Sequence, residues 1–170
     1  MSVINPTDQN LYELAAQVGV TLRARNQMLT VAESCTGGWI GKVLTDVAGS
    51  SGWFDRGFVT YSNTAKTELL GVRQSTLVNH SAVSTETVTE MAIGALERSR
   101  AGIAIAVSGI AGPDGGSPGK PVGTVYLAWA LRDRPIQTQV CRFAGDRETV
   151  RRQTVATALQ GVLDEFALRS

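Results

Sequence analysis

Ser34, Lys66, Tyr61, Ser108 and Arg147 are the residues whose types and settings fit acyl-transfer chemistry. Ser34 lies in Val31-Ala32-Glu33-Ser34-Cys35-Thr36-Gly37-Gly38-Trp39. The apolar run Met28-Leu29-Thr30-Val31-Ala32 before it reads as a short buried strand, and Trp39, Ile40, Val43, Leu44 and Val47 after it recur at helical spacing. Ser34 is therefore expected on a strand-to-helix turn. Glycines there let backbone approach a ligand, and free N–H groups at a helix start favour an oxyanion or a phosphate. A serine hydroxyl beside such donors is how an acyl-transfer nucleophile is presented. The pattern is not G-x-S-x-G, so it is not an α/β-hydrolase elbow. A serine in this place is equally a plain helix cap, and the stretch alone leaves both readings standing.

A serine nucleophile needs a base. The one histidine, His80, sits in the polar stretch Val78-Asn79-His80-Ser81-Ala82, remote from any glycine loop, and reads as a surface residue. A lysine can replace histidine if its pKa is lowered. Of the three lysines, Lys42 reads as solvated, and Lys120, in a glycine loop, is placed to meet an anion. Lys66 follows Tyr61-Ser62-Asn63-Thr64 in the first turn of a short helix, where the dipole and partial burial disfavour the ammonium form; by position alone a surface lysine fits as well. Tyr61 ends a strand beside that helix, with a hydroxyl able to meet Ser34, Lys66 or a substrate. Ser108 closes a buried strand. Ligands bind at strand ends along one edge of an α/β sheet, so Ser34, Tyr61 and Ser108 are expected to converge. Gly145-Asp146-Arg147 can hold a phosphate through N–H groups and the guanidinium, or Asp146 can simply cap a helix with Arg147 in solvent. Cys35 is a rival nucleophile if the helix start lowers its pKa, and an ordinary structural cysteine otherwise.

The elements that must position these groups follow from periodicity. Thr7-Asp8 caps a first helix with Leu11, Leu14, Ala15, Val18 and Leu22 on one face, ended by Asn26. A strand is expected over 28–33, a helix from 36 or 37 to 48, and a strand over 54–61. A short helix over 65–70 is closed by Gly71, and 72–82 reads as irregular. Ser84-Thr85-Glu86 opens a long helix that ends near 98–100. Ile103-Ala104-Ile105-Ala106-Val107 reads as a strand buried on both faces, leading into the Gly/Pro-rich loop 108–119. Strands over 122–131 and 136–143 flank the hairpin turn Arg132-Asp133-Arg134-Pro135, and a last helix runs from Asp146 to about Leu168. Helices alternating with strands imply helix layers around a sheet, and the terminal hairpin makes that sheet mixed.

The 170 residues, 43% hydrophobic and 18% charged, suit one globular domain over 1–170. A net charge of +1 gives no basic field for nucleic acid. No run of about 18 apolar residues is present to span a membrane, and the N-terminus lacks signal-peptide character. Two cysteines without a secretion signal read as reduced thiols in the cytoplasm. With a lone histidine they make no zinc site.

Four longer stretches go beyond spacing. Ala32 to Trp39, Gly57-Phe58-Val59-Thr60-Tyr61-Ser62-Asn63 through Lys66, Ser108-Gly109-Ile110-Ala111-Gly112-Pro113-Asp114-Gly115-Gly116, and Lys120-Pro121-Val122-Gly123-Thr124-Val125 together resemble the CinA C-terminal family, over about residues 11–166. The additional N-terminal domain of many family members has no counterpart of sufficient length here. The resemblance implies an α/β fold: a three-layer α/β/α domain with a mixed, mainly parallel sheet of about five strands ending in an antiparallel hairpin. It implies hydrolysis of the carboxamide of nicotinamide mononucleotide, in pyridine nucleotide salvage, by a Ser/Lys enzyme with no metal or other cofactor. Ser34 is then the nucleophile and Lys66 the base; Tyr61, Ser51 and Ser108 line the site, and Arg147 lies near it. N–H groups around 35–38 and 108–110 are expected to hold the oxyanion, making Cys35, Thr36, Gly37, Gly38 and Gly109 candidate substrate contacts. The implied partners are the nucleotide and further copies of the chain, as a homodimer or higher homo-oligomer. The rival expectation is a nucleotide-binding or regulatory module without catalysis, in which Ser34 only caps its helix.

Overall fold

In a computed structural model of the chain, residues 5–167 are described. Outside them lie residues 1–4 and 168–170, and so the N-terminal stretch read above as no signal peptide and the last residue of the expected final helix. The elements in chain order are α1 (Asp8–Ala24), β1 (Leu29–Glu33), α2 (Trp39–Asp46), a 3-10 turn (Ser50–Gly52), β2 (Phe54–Val59), α3 (Asn63–Leu70), α4 (Gln74–His80), α5 (Thr85–Glu97), β3 (Ile103–Gly109), β4 (Thr124–Leu131), β5 (Gln137–Arg142) and α6 (Arg147–Ala167). The strands form one sheet in the order β2-β1-β3-β4-β5. β1 pairs parallel with both β2 and β3, and β4 pairs antiparallel with β3 and β5.

Alternation along the strands builds two unlike faces. Leu29, Val31, Ile103, Ile105, Val107, Leu127 and Trp129 point to one side, against α1, α2 and α6. Ala32, Ala104, Ala106, Ala128 and Ala130 point to the other, where α5 packs with Val88, Met91, Ala92 and Ala95. A face of alanines admits a helix close to the sheet, and one layer of helices on each face gives the expected α/β/α order. Among the described residues no helix is long and apolar enough to cross a membrane.

Two boundaries differ from expectation for physical reasons. The stretch 72–82, expected to be irregular, contains α4. Its N-cap Arg73 makes no side-chain cap bond; the helix is instead held from α5, where Glu90 accepts from Arg73 Nε at 2.9 Å and from Thr76 Oγ1 at 2.7 Å. α2 starts at Trp39 rather than 36 or 37, because Gly37 (φ 61°) and Gly38 (φ 98°) are left-handed. The chain there doubles back under Glu33 before the helix begins. The other ends agree within a few residues, the ordinary uncertainty of element termini.

Gly94 of α5 faces α3, and a Cβ there would lie 1.9 Å from the Leu70 carbonyl oxygen. Gly94→Ala should therefore destabilise the protein by about 1–3 kcal/mol, although alanine is the better helix former. Urea unfolding at constant m-value measures it. A midpoint equal to or above that of the wild type would show that α3 moves aside without cost.

Candidate active site

β1 leads to β2 on one side and β3 leads to β4 on the other, so the crevice where connections diverge lies at the carboxyl ends of β1 and β3. A cavity of about 210 Å³ opens there. Ser34 and Cys35, following β1, and Ser108 and Gly109, ending β3, line it. Lys66 and Asn63 enter from α3, Ala82 and Val83 from the α4–α5 connection, and Arg147 from α6.

Lys66 sits in the first turn-and-a-half of α3, which Ser62 caps by accepting from Ala65 N–H at 3.0 Å. Its side chain runs inward and is 1% exposed. Nζ lies 3.0 Å from Ser34 Oγ and donates to the Thr60 carbonyl at 2.8 Å. Neither partner is a carboxylate. Burial without a counter-charge disfavours the ammonium and lowers the Lys66 pKa; the Cys35 thiol nearby acts weakly in the opposite direction. Ser34 is 8% exposed, so its hydroxyl meets the cavity and the lysine and little else. The separation is within the reach over which a hydroxyl can pass a proton to an amine.

Glu33, which no local pattern marks as functional, shapes the turn that carries Ser34. The carboxylate is buried. Oε2 accepts from Thr36 Oγ1 at 2.6 Å and from the Gly38 and Ile40 N–H groups at 3.1 Å each, and Oε1 accepts from Gly41 N–H at 2.8 Å. A carboxylate at a helix N-terminus satisfies both the free amides and the dipole. The signal for this capping role is an acid at the end of a buried strand, followed by a threonine and two glycines. Its consequence corrects the expected oxyanion site. Gly38 N–H is taken by Glu33 and Gly37 N–H by Ser34 O. Thr36, Gly37 and Gly38 are not among the residues lining the cavity, and the amides of Gly37 and Gly38 are not free to receive a phosphate or an oxyanion.

Other candidates are distributed differently from expectation. Cys35 faces the cavity, yet burial pushes its thiol up to about 12 against the weaker pull of its own amide, the reverse of the lowering expected for a nucleophile. Tyr61 is at the cavity mouth, 62% exposed, and its hydroxyl accepts from Arg147 Nη2 at 2.9 Å rather than meeting Ser34 or Lys66. Ser108 donates its hydroxyl to Ala82 O at 2.7 Å, tying β3 to the α4–α5 connection. Ser51 is exposed on the 3-10 turn before β2, at the end of the sheet opposite Ser34; the adjoining Trp53 O accepts from Leu29 N–H at the start of β1. Lys120 has its three N–H donors engaged, since Nζ donates to Ser81 Oγ at 3.0 Å and to the His80 and Val83 carbonyls. His80 is exposed at the end of α4, and Lys42 pairs with Asp46 on the surface of α2. Asp146 does cap α6, accepting from Thr149 N–H at 2.9 Å, but Arg147 does not stand in solvent alone: Nη1 donates to Gly112 O at 2.9 Å across the cavity rim.

Comparison with known proteins agrees with this architecture. The CinA C-terminal domain model matches residues 11–166. The nicotinamide-nucleotide amidohydrolase PncC of Escherichia coli (strain K12) is 58% identical over 161 residues, covering 94% of this chain and 97% of that protein. A protein of the same name from Pseudomonas putida is 54% identical over 150 residues, covering 88% and 93%. Among solved structures, the competence/damage inducible protein CihA of Agrobacterium tumefaciens superposes with a TM-score of 0.89 at 47% identity, over 96% of this chain and 98% of that one. With its sheet order, its Ser34 turn and nearly its whole length matched, the chain belongs to the CinA C-terminal domain family.

Proposed function

We propose that this protein is an amidohydrolase that converts nicotinamide mononucleotide to nicotinate mononucleotide and ammonia through an acyl-enzyme on Ser34, in pyridine nucleotide salvage. The observation that carries the reading is the buried Lys66 Nζ, 3.0 Å from Ser34 Oγ with no carboxylate bonded to it. A serine that merely capped a helix would need no such partner, and here Glu33 already does the capping. The names of the PncC relatives supply the substrate. Free Cys35 and Cys141 accord with a reducing, cytoplasmic setting.

The chemistry follows from the pair. With Lys66 neutral, Ser34 donates to the Nζ lone pair while an Nζ–H remains on Thr60 O. Ser34 Oγ attacks the carboxamide carbon and its proton passes to Lys66. The tetrahedral intermediate collapses as Lys66 returns that proton to the nitrogen, and ammonia leaves. Water then attacks the ester, giving a proton to Lys66; the acid departs and Ser34 recovers its proton. The Arg147 guanidinium at the rim, within reach of the cavity and otherwise bonded only to neutral oxygens, holds the ribose phosphate and so orients the amide.

Ser34→Ala should abolish ammonia release from nicotinamide mononucleotide by chelator-treated protein while nucleotide binding persists. Turnover undiminished in that variant would remove Ser34 as nucleophile; binding without ammonia in the wild type would favour the non-catalytic module.

The Lys66 prediction carries a sign. A cation with a depressed folded pKa holds fewer protons folded than unfolded, so between the lowered value and the ordinary lysine value stability rises with pH. On the activity side, kcat/KM should rise with pH through the folded Lys66 pKa, with its midpoint below the ordinary lysine value. Lys66→Arg, which stays protonated, should be almost inactive at every pH. A near wild-type rate in Lys66→Arg would make residue 66 an electrostatic anchor.

Arg147→Ala should raise KM for the nucleotide roughly ten-fold or more, as expected for loss of a charge-assisted contact, and leave KM for the phosphate-free riboside nearly unchanged. Equal effects on both would take Arg147 out of the phosphate site.

A further inference from the structure

An inventory of amides on the Ser34 turn leaves two donors over. Ser34 N–H donates to Val107 O, Gly37 N–H to Ser34 O and Trp39 N–H to Thr36 O. Glu33 takes the amides of Gly38, Ile40 and Gly41. Among the described residues no backbone carbonyl or side-chain oxygen accepts from the amides of Cys35 and Thr36. These are the peptides directly after the nucleophile, where an oxyanion forming on the carbon bonded to Ser34 Oγ can reach N–H groups.

The carbonyls on the same two residues are gripped from elsewhere. Arg151 of α6 donates Nε to Cys35 O and Nη2 to Thr36 O, each at 3.0 Å. Its guanidinium is itself held 5.3 Å from the Trp39 ring, with Arg152 4.9 Å from the same ring. A trans peptide is planar, with its C=O and N–H antiparallel. Pinning Cys35 O toward α6 therefore forces the Thr36 N–H to point away from α6. Glu33 holds the turn from Thr36 Oγ1 and Gly38 N–H onward, and Arg151 holds the Cys35 and Thr36 carbonyls, which Glu33 does not reach.

We propose that Arg151 is a positioning residue for acyl transfer: its grip on the Cys35 carbonyl fixes the peptide plane that carries the Thr36 N–H, and its grip on the Thr36 carbonyl fixes the plane of the Gly37 N–H, which holds the Ser34 carbonyl and with it the plane of the Cys35 N–H, so that the amides of Cys35 and Thr36 are aimed to receive the oxyanion. The proposal rests on Ser34 as nucleophile and adds the donors and the device that aims them. Arg151 does not line the cavity, so it acts on the transition state rather than on substrate binding. It is distinct in this from Arg147, which faces the ligand.

The test compares Arg151→Met and Arg151→Lys with wild type by two readouts. The first is hydrolysis of nicotinamide mononucleotide. The second is the rate at which a fluorophosphonate labels Ser34, a reaction in which the Oγ–P bond forms, fluoride leaves, the serine proton goes to Lys66, and the phosphoryl oxygen uses the same donors. In Arg151→Met kcat and the labelling rate should both fall roughly ten-fold or more, the scale of a misdirected oxyanion donor. KM should stay within about two-fold, and the midpoint of the pH profile should not move. Arg151→Lys keeps the charge but cannot span both carbonyls, so it should recover only part of the loss; if Arg151→Met does not fold, the lysine variant is read alone by the same criteria. A folded variant with kcat and labelling within two-fold of wild type overturns the proposal, as does a rise in KM at unchanged kcat or a displaced pH midpoint. The wild type separates this from the amidase reading. Labelling without hydrolysis rejects the substrate while the labelling ratio still tests Arg151; neither reaction rejects Ser34 as nucleophile and Arg151 with it.

Discussion

A lysine withdrawn from water with nothing negative beside it is the constraint on which this molecule turns. The interior could have offered Lys66 a carboxylate, since the buried Glu33 lies one residue from Ser34. Its oxygens are instead occupied by one hydroxyl and three amides of the α2 turn. That division keeps two charges apart. A carboxylate on Lys66 would hold the ammonium and oppose the proposed role as a base; a carboxylate missing from α2 would leave buried amides without acceptors. Both requirements are met by turning one side chain toward the helix rather than toward the lysine.

Ser34 and Lys66 reach each other from opposite faces of the sheet. Ser34 is fixed through α2, whose Ile40, Val43 and Leu44 belong to the core shared with α1 and α6. Lys66 is fixed through α3, whose Leu70 belongs to the alanine-faced core under α5. They meet only where parallel strands end together, with Glu33 paired to Val59 on one side and to Val107 on the other. The 3.0 Å separation is thus a sum of two independent packing arrangements measured across the sheet edge, and the tightness of both cores sets it.

What could be read without coordinates was whatever depends on local pattern. The strand endings at 33 and 108, the cap at Ser62 and the Ile/Ala alternation of β3 all follow from neighbouring residues, and they place Ser34, Lys66 and Ser108 on one edge. What could not be read depends on partners far along the chain. α4 exists because Glu90 of α5 bonds Arg73 and Thr76, and no local periodicity records that. The start of α2 shifts because two glycines take positive φ under a buried carboxylate. Lys120 is drawn off by the carbonyls of 80 and 83, some forty residues away, and the Cys35 thiol is governed by burial that outweighs any helix end. Ser51, placed in the site only by the family resemblance, lies on the turn at the other end of the sheet from Ser34.

The charged groups around the cavity are consistent with an anionic ligand approached by a neutral base. The residues lining it include Lys66 and Arg147 and no aspartate or glutamate. Lys66 is nearest Ser34 and is the one whose ammonium burial disfavours, while Arg147 stands at the rim, bonded to Tyr61 and to Gly112. Depth alone therefore separates two cationic residue types into two jobs. The arginine, whose charge cannot be removed by modest desolvation, suits the solvent-facing end where a phosphate would sit; the lysine, whose charge can, suits the closed end. Exchanging the two types would put a permanent cation against Ser34 and a strongly hydrated one at the mouth. The order of residue types from floor to rim is thus itself a physical argument that bond-breaking belongs at the floor.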